Sequence, residues 1–460
     1  MKLKLQALSD QEIKKIHECT VKILEETGVF VKSKRAREAL LDAGAIAGDN
    51  EVVKIPEALL MKSIETAPKS FVLGARNPDH NFKMPAVDKP GHTMDGIKTE
   101  ILDIDTAEAR ESTKADVVNL GRIFQSLDTA TVAWSGVTAM DTPPETHCLH
   151  EFAAMIQGTS KHIQTELRHE GESPYAIEIL KAVLGSDEAI REKKIISLLY
   201  CPISPLEHDD SMLDAYLAMT EYDVPLVVYP MPIIGLTSPS SVFSSLCQIN
   251  AETLSGLVIF QAVRPGIPVI YGCCSGTMDP ASGDYVDGPE TMLLSMGAIA
   301  MARHYGLPCE VRGADMDTIP TYLNWPDLVQ GLGTTHDNTF QPELMVIHDE
   351  IAKKTYRVMN GIDCSEEKDL TDDIIERGPQ GSFLSCKSTR LLMRDFDENY
   401  NSKTFSKYLL NKSKEKDPMS KLANNYIKEL LAGPFVDELP HDTVKKIDSI
   451  CKAADDEFSV

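Results

Sequence analysis

Six side chains close the short apolar runs of this chain: Trp134, Glu166, Tyr200, Tyr229, Tyr271 and Arg312. Four of the six are aromatic, in a chain whose aromatic content is only 6 %. Both tryptophans, Trp134 and Trp325, fall in or beside the loops that follow such runs. Aromatic faces grip a quaternary ammonium through cation–π attraction. The competing reading is that these rings pack an upper layer of a core. Arg312 carries the fork that binds a carboxylate in two places, and a structural ion pair is its alternative. His348, in "LMVIHDEIAKK" beside Asp349 and Glu350, is a candidate polar pocket residue or a helix-surface histidine.

Other chemistries have weaker signals. "HCLH" sets His147 and His150 three apart, with His162 and His169 downstream. A zinc enzyme needs a third ligand and an open position, and no HExxH or paired CxxC supplies one. Helix-surface histidines are the plainer reading. Cys273 and Cys274 are adjacent, so on a strand they face opposite ways. A buried pair of small side chains is favoured over a chelate or a reactive thiol. GxSxG, GxGxxG after the first strand, and GxxxxGK[ST] are all absent. That argues against a serine hydrolase and against a nucleotide-binding doubly wound sheet.

The elements that must position these side chains are readable. "LSDQEIKKIHECTVKILEETG" is a helix with a capping box at Ser9 and Glu12 and a stop at Gly28. Residues 1–111 read as an N-terminal α/β extension. From Ser112 six strand–helix units follow, their strands near 130–136, 161–167, "KKIISLLYCP", "VPLVVYPM", "IPVIYGCC" and "LPCEVRGA". Near-continuous apolar strands with helical crossovers predict a parallel sheet covered on both faces. The expected fold is α/β, a (β/α)8 TIM barrel over 112–399. Its last two strands are expected near "GTTHDNTF" and "GPQGSFL". Residues 400–460 read as a C-terminal helical extension, fraying at "KAADDEFSV". In such a barrel function lies at the C-terminal ends of the strands, where the six side chains stand.

Composition narrows the partners. Lys+Arg 46 against Asp+Glu 70 gives a net charge of −24, which disfavours nucleic acid. No apolar run approaches the ~20 residues of a membrane span, and no signal peptide is visible. The ten scattered cysteines read as reduced, buried thiols. A cytoplasmic protein is expected, and the sequence leaves open a homodimer or higher homo-oligomer.

The stretch from Cys201 to Gly272 resembles the trimethylamine methyltransferase family. "SPL", "G-x-T-x-P", "N-A-E-x-L-x-G" and "Q-x-x-x-P-G-x-P-V-I-Y-G" occur in that family's order and spacing. The N-terminal helix, "ARNP", "HDEI" and "GPQGSFL" extend the likeness over most of the chain. It implies a TIM barrel that moves a methyl group from a methylated amine to the Co(I) corrinoid (a cobalamin) of a separate corrinoid protein. It implies no protein-bound metal. Founding members carry pyrrolysine at an in-frame amber codon. This chain has only standard residues, so it is similar to the non-pyrrolysine branch, which demethylates quaternary amines such as glycine betaine, proline betaine or carnitine. Such a substrate leaves as a neutral amine, so positioning replaces acid–base catalysis. The rim aromatics would then grip the cation, with Arg312 and His348 as candidates for its carboxylate. The chain departs from the family in a shortened 315–347 interval and in "GPQGSFLSCKST" where "GGHFL…HT" is usual. The alternatives are a non-catalytic quaternary-amine-binding barrel and an unrelated barrel enzyme using a metal or thiol.

Overall fold

The structure is a computed structural model that describes residues 5–313, 319–333, 335, 338–394, 402, 404–406, 410 and 417–458. Eight parallel strands close on themselves: β1 Gly91–Met94, β2 Ala130–Ala133, β3 His162–Thr165, β4 Ile196–Tyr200, β5 Leu226–Val228, β6 Val269–Cys273, β7 Cys309–Arg312 and β8 Leu328–Leu332. Each pairs with the next, and β8 pairs with β1. β4, β5 and β6 are buried along their whole length, as a sheet covered on both faces requires. The helices that follow are α1 Lys114–Ser126, α2 His147–Gly158, α3 Glu172–Leu184, α4 Ser211–Met219, α5 Val242–Val263, α6 Pro289–His304, α7 Ile319–Leu323 and α8 Pro342–Met359.

Local signals fix several boundaries as expected. Ser9 and Glu12 cap helix Asp10–Lys22 reciprocally, and Thr113 with Asp116 does the same for α1. Pro289 opens α6 and Gly306, at φ +65°, ends its chain reversal.

Two expectations about the barrel are corrected. Its first strand is Gly91–Met94, inside the stretch assigned to the N-terminal extension. The stretch "GHTMDGIKTEILDID" reads as short strands joined by turns, but Gly-His-Thr-Met has no apolar run to mark it as a barrel strand. Its eighth is Leu328–Leu332, not "GTTHDNTF" or "GPQGSFL". Thr339–Phe340 pairs instead with Glu100–Leu102 outside the barrel; Thr334, His336 and Asp337 lie outside the described residues. Residues 378–384 form no strand and are mostly exposed. Within the 315–347 interval the helix after β7 is α7, Ile319–Leu323.

α5 is long and apolar enough to cross a membrane, yet 83 % of its most apolar window is buried. Helices Asp10–Lys22, Lys34–Ala43 and Glu57–Thr66 cover it, and its polar side chains are satisfied internally. Asn250 donates to the Thr20 and Tyr305 hydroxyls. Glu252 accepts from Ser204 and from the Leu206 N–H. The lower end of the barrel is sealed at Gly74, whose carbonyl lies 2.7 Å from His162 Nδ1. Helix His441–Phe458 lies against α2 and α3 and is anchored by buried Ile447, Cys451 and Ala454. The Phe458 ring packs edge-on to His169, so the helix is held to its last turn.

Candidate active site at the barrel mouth

Side chains alternate along a strand, so two cross-barrel hydrogen bonds decide which faces point inward. Gln164 Nε2 of β3 donates to Glu310 Oε2 of β7 at 2.8 Å. The hydroxyl of Tyr229, just past β5, donates to Gln330 Oε1 of β8 at 2.7 Å. Neither strand pair is adjacent, so both bonds cross the lumen. The register then carries the inward parity around the barrel: Gly272 pairs with Glu310 and Arg312 with Gln330. Continued past the strand ends, the inward series includes Asp95, Trp134, Glu166, Cys201, Tyr229, Cys274 and Arg312.

Four of the expected site residues thus meet at the mouth: Trp134, Glu166, Tyr229 and Arg312. Trp134 is buried, and a Cβ at Gly96 would fall 2.2 Å from its ring. Gly96 therefore lets the loop after β1 close over the indole. Burial pushes the Glu166 carboxyl up to about 7, opposed by nearby Arg168. Glu310 is likewise pushed up to about 7 by burial, with the Gln164 hydrogen bond pulling it back. Glu310 Oε1 and Gln164 Oε1 are buried without a partner, leaving two acceptors open toward the lumen.

Arg312 is already engaged. It meets Asp287 Oδ2 at 2.9 Å and Asp95 Oδ1 at 3.4 Å, with its side chain 11 % exposed. Cys274 Sγ lies 3.9 Å from the same guanidinium, and burial pushes its thiol up to about 11 against the pull of Arg312. Asp287 follows the hairpin Gly276–Met278 / Tyr285–Val286, which also pairs with Ile233–Ile234 after β5. One guanidinium therefore ties β1, β7 and the hairpin together.

Three expected site residues lie elsewhere. Tyr200 faces the helices: its hydroxyl is 3.0 Å from His208 Nδ1, and its ring packs edge-on against Tyr216 and Phe260. Tyr271 also faces outward, donating to Asn250 Oδ1 of α5 at 2.8 Å. Both are the last or middle residue of a strand with the wrong parity, and each pins a helix to the barrel. His348 sits on α8 behind β8, 3.0 Å from the Gly331 carbonyl, in a small cavity with His92 and Tyr322.

The histidine motif is structural. His147 Nε2 is 2.8 Å from the Thr142 carbonyl, and His150 Nε2 is 2.9 Å from Asp455 of the last helix. Among the described residues no group of three His, Cys, Asp or Glu is placed to hold a metal ion. Residue-level reading missed Asp95, Gln164, Asp287, Glu310 and Gln330. A lone Glu inside "LPCEVRGA" and a lone Gln inside "KHIQTEL" were the available signals, since a polar residue in a buried strand needs a partner.

Sequence comparison adds the following. The profile described as "Trimethylamine methyltransferase (MTTB)" matches residues 2–318. Trimethylamine methyltransferase MttB of Methanosarcina thermophila is 31 % identical over 417 residues, covering 85 % of this chain and 86 % of its own length. Trimethylamine methyltransferase MttB of Desulfitobacterium hafniense is 28 % identical over 408 residues, covering 85 % and 82 %. A glycine betaine methyltransferase from Desulfitobacterium hafniense is 27 % identical over 412 residues, covering 84 % of each chain.

Proposed function

The chain belongs to the trimethylamine methyltransferase family, and on that basis we propose that it moves a methyl group from a betaine-type quaternary amine to the Co(I) corrinoid of a separate corrinoid protein. The observation that carries the substrate class is the charge of the lumen. Among the described residues Glu310 has no cationic partner and Glu166 has only Arg168 near it, whereas the inward cation Arg312 is matched by Asp95 and Asp287, Asp95 also meeting Lys98. A fixed cation such as a quaternary ammonium relieves this imbalance by drawing both carboxyls into their ionised forms. Trp134 and Tyr229 supply two aromatic walls, a smaller cage than four rings but still suited to an N-methyl cation. The likeness to a glycine betaine methyltransferase supports the same class.

Transfer needs little covalent help from the protein. The C–N bond breaks with its electron pair left on nitrogen, so the departing amine is neutral and no proton must be delivered. The corrinoid supplies the two-electron nucleophile. This chain holds the ammonium against Glu310, Glu166 and Trp134, aims one methyl out of the mouth, and excludes water. A substrate carboxylate reaches Arg312 by taking the place of Asp287 or Asp95. The partner would meet a rim rich in exposed apolar side chains on the loops after β5 and β6, among them Met231, Leu236, Tyr285 and Val286.

The test is to incubate the protein with a corrinoid protein, a reductant and each of glycine betaine, proline betaine, carnitine and trimethylamine. NMR should show one demethylated product, with a matching change in the visible spectrum of the corrinoid. Demethylation of trimethylamine alone would overturn the quaternary class, and no demethylation across the panel would overturn the reading.

A further inference from the structure

Beyond α8, only Cys386 is buried among residues 361–394. Helices Thr371–Arg377 and Lys387–Leu392 bury no side chain. Yet Ile362, Ile374, Ile375, Leu384, Leu391 and Met393 are each at least 60 % exposed. Single exposed apolar residues are ordinary. Six on one short arm form an apolar surface that no other described residue covers.

Charge says what the cover must look like. Residues 362–376 carry seven acidic side chains and one lysine, whereas 377–394 carry four basic side chains and no acidic one. The Ser388 hydroxyl donates to Asp373, joining the two helices into one surface. A partner must therefore offer apolar side chains flanked by both signs in the reverse order. A second arm turned by 180° does so, because a two-fold axis sets each acidic half on the other copy's basic half. The chain as a whole is strongly acidic, with a net charge of −24, so two copies repel one another overall and association needs a matched patch to offset it. We propose that residues 361–394 are a self-complementary arm through which two copies of this chain associate, pairing acidic with basic halves around the exposed isoleucines and leucines.

The experiment measures mass in solution by light scattering and sedimentation equilibrium on the full chain at micromolar concentration. Wild type should show twice the chain mass or an even multiple. Ile375→Asp with Leu384→Asp should halve it. Circular dichroism and the melting curve of the separated species should stay those of a folded barrel, because both side chains are exposed. Two charge variants then test the pairing. Lys387→Glu with Arg390→Glu leaves the basic half with two basic and two acidic side chains, and Asp372→Lys with Glu376→Lys leaves the acidic half with five acidic and three basic ones, so each weakens the attraction at both contacts. Each alone should lose association by at least tenfold in apparent Kd, and an equimolar mixture should recover a heterodimer. A monomeric wild type, or apolar variants that associate like wild type, would overturn the proposal. So would a mixture that fails to recover.

Discussion

Glu310 is the residue on which the site turns, because its Oε1 is buried without a partner while its Oε2 is held by Gln164. Glu310→Gln keeps the volume and removes the charge. It should lower kcat/KM for a quaternary amine by roughly 10- to 100-fold, since a buried contact to a charged group contributes about 1.5–3 kcal/mol. The pH dependence follows from the raised carboxyls. Both Glu166 and Glu310 titrate at about 7 in the folded protein, above the ordinary 4.5. The folded state therefore binds more protons than the unfolded state between those values, so their contribution to stability falls as pH rises from 4.5 to 7. A cationic ligand opposes this by favouring the ionised forms. Its stabilising effect on the melting temperature should grow from pH 6 to pH 8 and be blunted in Glu310→Gln. Tyr271 stands in contrast. Tyr271→Phe leaves Asn250 Oδ1 without its donor and should cost about 1–3 kcal/mol of stability, read by thermal unfolding, with KM unchanged. The two tyrosines that point outward show why strand ends alone mislead. Tyr200 and Cys201 are neighbours in sequence, yet one packs on helices and the other follows the inward register. Type and position were legible there; parity was not, until the cross-barrel bonds fixed it.

At the scale of elements, the hairpin Gly276–Met278 / Tyr285–Val286 is held over the mouth through Asp287 and Arg312. Asp287→Asn removes that ion pair and leaves the β6 ladder untouched. Amide hydrogen exchange should quicken across Gly276–Val286 while Val269–Cys273 stays protected. Six barrel strands were legible because each is a near-continuous apolar run between helical periods, as in "KKIISLLYCP". β1 read as one of several short strands but not as part of the barrel, because Gly91, His92 and Thr93 lack that run and borrow their order from β8 and β2. β8 was passed over because Gln330 and Gly331 interrupt it, and Gln330 is there to take the Tyr229 hydroxyl. The helix caps at Ser9 and Thr113 were fully local and therefore fully readable. The hairpin's ion pair joins residues far apart in sequence, and no local signal announces it.

At the scale of the whole molecule, a closed barrel gathers Asp95, Glu166, Asp287, Glu310 and Arg312 from five separate stretches of chain into one mouth. The barrel itself was foreseen. The family gives the reaction its class, and the charge of the lumen supports the proposed cationic substrate. The most direct measurement is a single-turnover experiment with glycine betaine carrying deuterated methyl groups, a reduced corrinoid protein and wild-type enzyme, followed by mass spectrometry of both products. The account predicts one trideuteromethyl group on the corrinoid for each dimethylglycine formed, with the Glu310→Gln variant markedly slower. Label that stays wholly on the betaine, with glycine betaine bound all the same, would contradict it.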